Sequence, residues 1–133
     1  MTPQAMLNVY QHYNTTGNTL EINENIGSGN MRTTSSTTLN TQTGATSINS
    51  KTAIPVEKNK RNRNFNNYYN IMSSFDHERF HKEDYARDPD AFIGKTKTVR
   101  EREAIDYQRI QSSWEKTTIN YKAAIQYYYD NPE

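Results

Sequence analysis

His77, Glu78 and His81 have the types and the spacing of a metal-dependent hydrolytic site. They lie in a stretch, 65–81, that reads as a helix, where residues four apart sit one above the other, so both imidazoles reach a single ion. Glu78, beside them, is placed to take a proton from a water that such an ion activates. The remaining histidine, His12, lies in a polar segment and is assigned no role.

Two imidazoles do not make a hydrolytic centre, which needs three protein ligands and one open position. The chain has no cysteine, so the third donor must be a carboxylate, and the acidic residues of the stretch 100–107 are the candidates. Glu101 closes a Thr98-Val99-Arg100-Glu101 capping box, which gives it a helix-capping task. Glu103 is therefore the preferred ligand. If Glu103 faces the metal, Asp106 and Tyr107 follow on the same helical side. Asp106 then accepts the free N–H of a ligating imidazole, and Tyr107 donates a hydrogen bond to a developing oxyanion.

The run Asp76-His77-Glu78-Arg79-Phe80-His81 followed by Glu103-Ala104-Ile105-Asp106 resembles the zincin superfamily of zinc metallopeptidases, and within it the glutamate-liganded branch. Residues 65–125 are also similar to small peptidase domains at the C-terminal ends of Rhs-type and other polymorphic bacterial proteins. The resemblance implies bound Zn2+, a peptide or protein substrate, Glu78 as general base and a bacterial, toxin-like domain. The family usually places uncharged residues where this chain has Arg79, Lys82 and Glu83. That departure implies either a thin domain with one side of the helix in water or a helix that is not of the zincin kind.

At 133 residues the chain has room for one full-sized core. Its mean hydropathy of −1.09 reflects an uneven composition. Residues 1–57 are rich in Ser, Thr and Asn, and read as a small β-sheet or a partly disordered segment; residues 58–133 form a helical domain carrying the histidine motif. In the first part, 20–26 alternates like a half-buried strand, and a second strand runs from Met31 to Leu39, with Thr43-Gly44 as a turn. Three helices follow, from about Asn66 to Tyr85, from the Thr98 box to about Ile110, and from a Ser112–Glu115 box to about Tyr129. Phe92 and Ile93 are expected to tuck into the core between the first two. The fold class expected is α+β, a small antiparallel sheet packed on about three C-terminal helices in a minimal zincin-like arrangement.

A net charge of +1 supplies no global field for nucleic acid. The basic run 58–64 with aromatics to Tyr69 keeps a nucleic-acid module as a minor alternative, beside a catalytically inactive metal-binding or interaction domain. No apolar run approaches a membrane span. No signal peptide is apparent, so the expectation is a cytoplasmic protein or one exported without a conventional leader. Composition sets no oligomeric state.

Overall fold

Branched side chains favour extended backbone, and the threonine-rich segment forms β2 (Arg32–Leu39), paired antiparallel with β3 (Thr46–Pro55) from Arg32↔Ala53 to Leu39↔Thr46. The computed structural model describes residues 18–23, 31–55 and 67–131, with the isolated positions 5, 8, 9 and 11. The hairpin turns through Asn40, whose side chain accepts from the Gln42 amide at 2.9 Å, and closes at Gly44, whose φ of 73° suits a residue without Cβ. The expected second strand and its Thr43-Gly44 turn are both found.

The first strand, β1 (Asn18–Asn23), pairs with β3 in parallel, giving the sheet order β1-β3-β2. The sheet is therefore mixed, a correction to the antiparallel expectation: β1 and β2 flank the same strand in opposite directions. The strand expected at 20–26 begins two residues earlier, and 24–26 lie outside the described residues, as do His12 and the basic run 58–64. The fold class is α+β as expected.

Helix α1 (Tyr68–Arg87) begins where the Asn67 side chain accepts from the amides of Tyr69 and Asn70. Its buried face includes Ile71 and Phe75, both fully inaccessible, but also Asn70, Ser73, Asp76, Glu78 and Asp84. Each of these polar groups needs a partner. Asn70 exchanges hydrogen bonds with Thr118, and Asp76 accepts from Arg79 and from Ser113. Arg79 is thus half-buried and engaged, and the solvent side of the helix is supplied by residues such as Glu83 and Arg87.

After Asp88, which caps it through the Ala91 amide, comes the short helix α2 (Pro89–Gly94), where an irregular link was expected. Proline at its first position needs no N–H partner. Phe92 packs edge-on to Tyr85 at 5.4 Å, whereas Ile93 is exposed, against expectation. Helix α3 (Lys97–Arg109) is capped by Thr96, two residues before the expected box. A 3-10 turn at Trp114–Lys116 stands where the last helix was expected to open, and α4 (Ile119–Asp130) starts later, capped by Thr118. Helix α1 is the hub, packed on α3, α2 and β2, with the Thr37 and Tyr85 hydroxyls joining sheet to helix at 2.8 Å. No helix among the described residues is long and apolar enough to cross a membrane.

Phe75 is the largest side chain fully buried in this small core. Phe75→Ala is expected to cost about 3–5 kcal/mol of unfolding free energy, measured by urea denaturation of the metal-free chain.

Candidate functional site

Helix α1 and the first turns of α3 lie side by side, and three side chains converge between them. His77 Nε2 lies 3.0 Å from Glu101 Oε2, His81 Nε2 lies 3.1 Å from Glu101 Oε1, and the two Nε2 atoms are 3.1 Å apart. Among the described residues these three form the group able to hold a metal ion.

The carboxylate at this position is Glu101, where the sequence reading had Glu103. The cause is the helix start. With Thr96 as the cap, Glu101 lies in the second turn, relieved of any capping task and free to reach across to α1. Glu103, two residues on, is turned about 200° around the helix and pairs with Lys95, which also holds Asp84, each at 3.2 Å.

The same rotation displaces the other two candidates. Asp106 is exposed. The Tyr107 ring lies against Phe80 at 5.1 Å and its hydroxyl accepts from Arg79, so neither side chain faces the imidazoles. The group that does support a histidine is Gln108, fully buried one helical face along from Glu101 and Ile105. Its amide nitrogen donates to the Ser73 and Tyr121 hydroxyls at 2.8 and 2.6 Å, and its oxygen lies 3.0 Å from His77 Nδ1. The amide oxygen can only accept, so Nδ1 carries the proton and Nε2 presents its lone pair towards Glu101 and His81. Tyr121 in turn meets Ser74 at 2.8 Å, and burial pushes its phenol up to about 12 despite these hydrogen bonds. The spacing Glu101–Ile105–Gln108, on one helical stripe with an apolar residue, was the available signal for both missed residues.

The residues fit a divalent ion. Lone pairs of an imidazole and a carboxylate facing each other at 3.0 Å repel unless a proton or a metal lies between them. A tetrahedral ion at about 2.0–2.1 Å from each donor would hold them about 3.3–3.4 Å apart, close to the separations found. Glu78 gives a second sign: it is buried, and its Oε2 has no hydrogen-bond partner among the described residues. Burial raises the Glu78 carboxyl above its ordinary range, against the opposing pull of His77, His81 and the Thr33 hydroxyl.

The group opens onto a cleft of roughly 600 Å³ between β2, α1, α3 and α4, lined by residues including Thr33, Ser35, His77, Glu78, Glu101 and Tyr128. Without a metal, burial opposes a charge on His77, but the Glu101 hydrogen bond and the charges of Glu78 and Glu101 outweigh it and raise its pKa. Burial likewise works against the Glu101 carboxylate, and the two imidazoles overcome it, driving its pKa far down.

Compared with known protein families, residues 2–133 match the model of the family described as metallopeptidase toxin 2. No curated protein and no solved structure matches the chain.

A pH dependence follows for the metal-free protein. His77 is raised from 6.5, so its contribution to stability is complete below that pH and is lost as pH climbs through the folded-state value. Glu101 is lowered from 4.5, so its contribution is present above that pH and fades only in strong acid. Thermal melts in chelator are expected to show Tm falling on the alkaline side. Added zinc should reverse that fall, because metal ligation uses the neutral imidazole. A flat alkaline Tm without metal would contradict the assigned pairing.

Proposed function

The chain belongs to the metallopeptidase toxin 2 family, and from that premise we propose that it hydrolyses peptide bonds as a zinc enzyme, with His77, His81 and Glu101 holding the ion and Glu78 as general base. The observation that carries this reading is the convergence of three donor side chains, with contacts of 3.0–3.1 Å between each pair, beside a buried carboxylate oxygen with no partner among the described residues. An all-nitrogen-and-oxygen donor set with an adjoining cleft is the chemistry of a catalytic rather than a structural zinc site.

When bound, zinc lowers the pKa of a water towards neutrality and polarises the scissile carbonyl. Glu78, one helical position from His77 and facing the cleft, removes the proton from the attacking water. Its burial raises its basicity, which suits a group that must accept that proton and then give it to the leaving amine. Gln108 holds His77 by Nδ1, so Nε2 stays aimed at the ion. Thr33 on β2 lines the same cleft, and its hydroxyl opposes the effect of burial on the Glu78 carboxyl.

An extended peptide would lie along β2 by strand addition. The strand that lines the cleft is β2, through residues 32–35, while β1 lies beyond β3 at the far edge of the sheet. An open cleft beside the donors also favours a working peptidase over the inactive metal-binding alternative, whose site would be plugged.

Three measurements test the assignment. Purified chain should bind about one zinc per molecule, and Glu78→Gln should keep the zinc while losing hydrolysis. Glu101→Ala should lose the metal, whereas Glu103→Ala should retain it; the opposite pattern would return the ligand role to Glu103. Gln108→Ala should weaken zinc binding about 10–100-fold, and Asp106→Ala should not.

A further inference from the structure

One wall of the cleft carries positive charge that the hydrolytic reading leaves unused. Lys97, Arg100, Glu101, Ile105 and Gln108 form the stripe of α3 that faces it, and Arg32 reaches it from β2. The two carboxylates that line the cleft, Glu78 and Glu101, stand beside the imidazoles. Neither Arg32, Lys97 nor Arg100 forms an ion pair among the described residues.

Arg100 is also held in place. Its guanidinium lies over the Phe92 ring, 4.8 Å from the centroid, and Phe92 is braced edge-on by Tyr85. Stacking occupies the face of the guanidinium and leaves its N–H edge to donate, the geometry that grips a carboxylate through two parallel hydrogen bonds. Part of the entropy of fixing a long side chain is already spent in the free protein. The short helix α2 thereby acquires a purpose, since it carries Phe92 to the spot where Arg100 needs a platform. Lys97, one turn nearer the positive end of α3, adds to the attraction for an anion.

We propose that the cleft selects peptides bearing an aspartate or glutamate within two residues of the scissile bond, and that Arg100 is the residue that receives that carboxylate. Arg100 and Glu101 both line this cleft, so a carboxylate on the Arg100 guanidinium shares the groove with the reacting carbonyl. Consecutive residues of an extended peptide advance about 3.3 Å, which keeps the acidic position within that distance of the cut. This inference rests on the peptidase reading, and its test separates the two.

Two pools of short peptides are used, identical and neutral except that one carries a single Glu at each position in turn and the other Gln. The zinc-loaded full chain is expected to cleave the Glu pool about tenfold faster in kcat/KM than the Gln pool, with the advantage shrinking as salt is added. In Arg100→Gln most of that ratio should be lost, the small remainder belonging to Lys97 and Arg32, and in Arg100→Lys it should be partly kept. Zinc content of each variant reports whether the fold survives. Binding of the same pools to zinc-loaded Glu78→Gln, read by fluorescence anisotropy, gives a measure independent of cleavage.

Cleavage of both pools at equal rates would overturn the acidic preference and leave the peptidase reading standing. A preference that persists unchanged in Arg100→Gln would overturn the role of Arg100. If nothing is cleaved but the Glu pool binds better and Arg100→Gln removes most of the difference, the selectivity stands and the peptidase reading fails. Absence of both cleavage and binding overturns the two together.

Discussion

The bridge from one carboxylate to two imidazoles is the constraint on which the rest of the molecule turns. Glu101 spans His77 and His81 with separate oxygens, so the distance between α1 and α3, and their rotation about their own axes, are fixed together. A rotation of α3 by one residue would replace Glu101 with a basic neighbour, Arg100 or Arg102. The Thr96 cap prevents that by setting where the helix begins. Gln108, near the other end of α3, ties the same pair of helices through Ser73 and His77. The site and the packing of its two helices are one structure.

Much of this was legible in the residues. The spacing of His77, Glu78 and His81 predicts the helix and the shared face of the two imidazoles, because periodicity depends only on local geometry. Strand β2 and the turn at Thr43-Gly44 follow from threonine propensity and turn chemistry in the same way, whereas no strand was read over Thr46–Pro55. The third donor did not follow, for a reason that can be stated. Thr98-Val99-Arg100-Glu101 is a better capping box in sequence than anything Thr96 offers, but the chain enters the helix at Thr96, and a shift of two residues turns every later side chain by about 200°. That one displacement accounts for Glu103, Asp106 and Tyr107 together. The direction of β1 was hidden for a different reason: the alternation over 20–26 says that one face is covered and nothing about the partner's direction.

The core was the least legible part. Ser73, Asp76, Gln108, Ser113 and Thr52 are buried alongside Ile71, Phe75 and Ile105. A reading that equates core with apolar stripes finds Ile71 and Phe75 but assigns the polar positions to the surface. Their burial is tolerable because Ser73, Asp76, Gln108 and Ser113 pair with one another or with residues of the same cluster. Such pairings run between helices far apart in sequence, where no local pattern can announce them.

A polar core of this kind bears on how the proposed ion acts. Apolar burial supplies most of the stability of a small domain, and here much of the buried volume is given to hydroxyls, amides and carboxylates. These hydrogen bonds fix geometry more than they add net free energy, since water satisfies the same groups in the unfolded chain. Holding two imidazoles and a carboxylate within 3.1 Å of each other then falls to Gln108 on one side and to the ion on the other. On the proposed reading, metal binding is folding free energy as well as catalytic equipment. The ligand that activates the water also holds α1 against α3, and with them the cleft into which the substrate must fit.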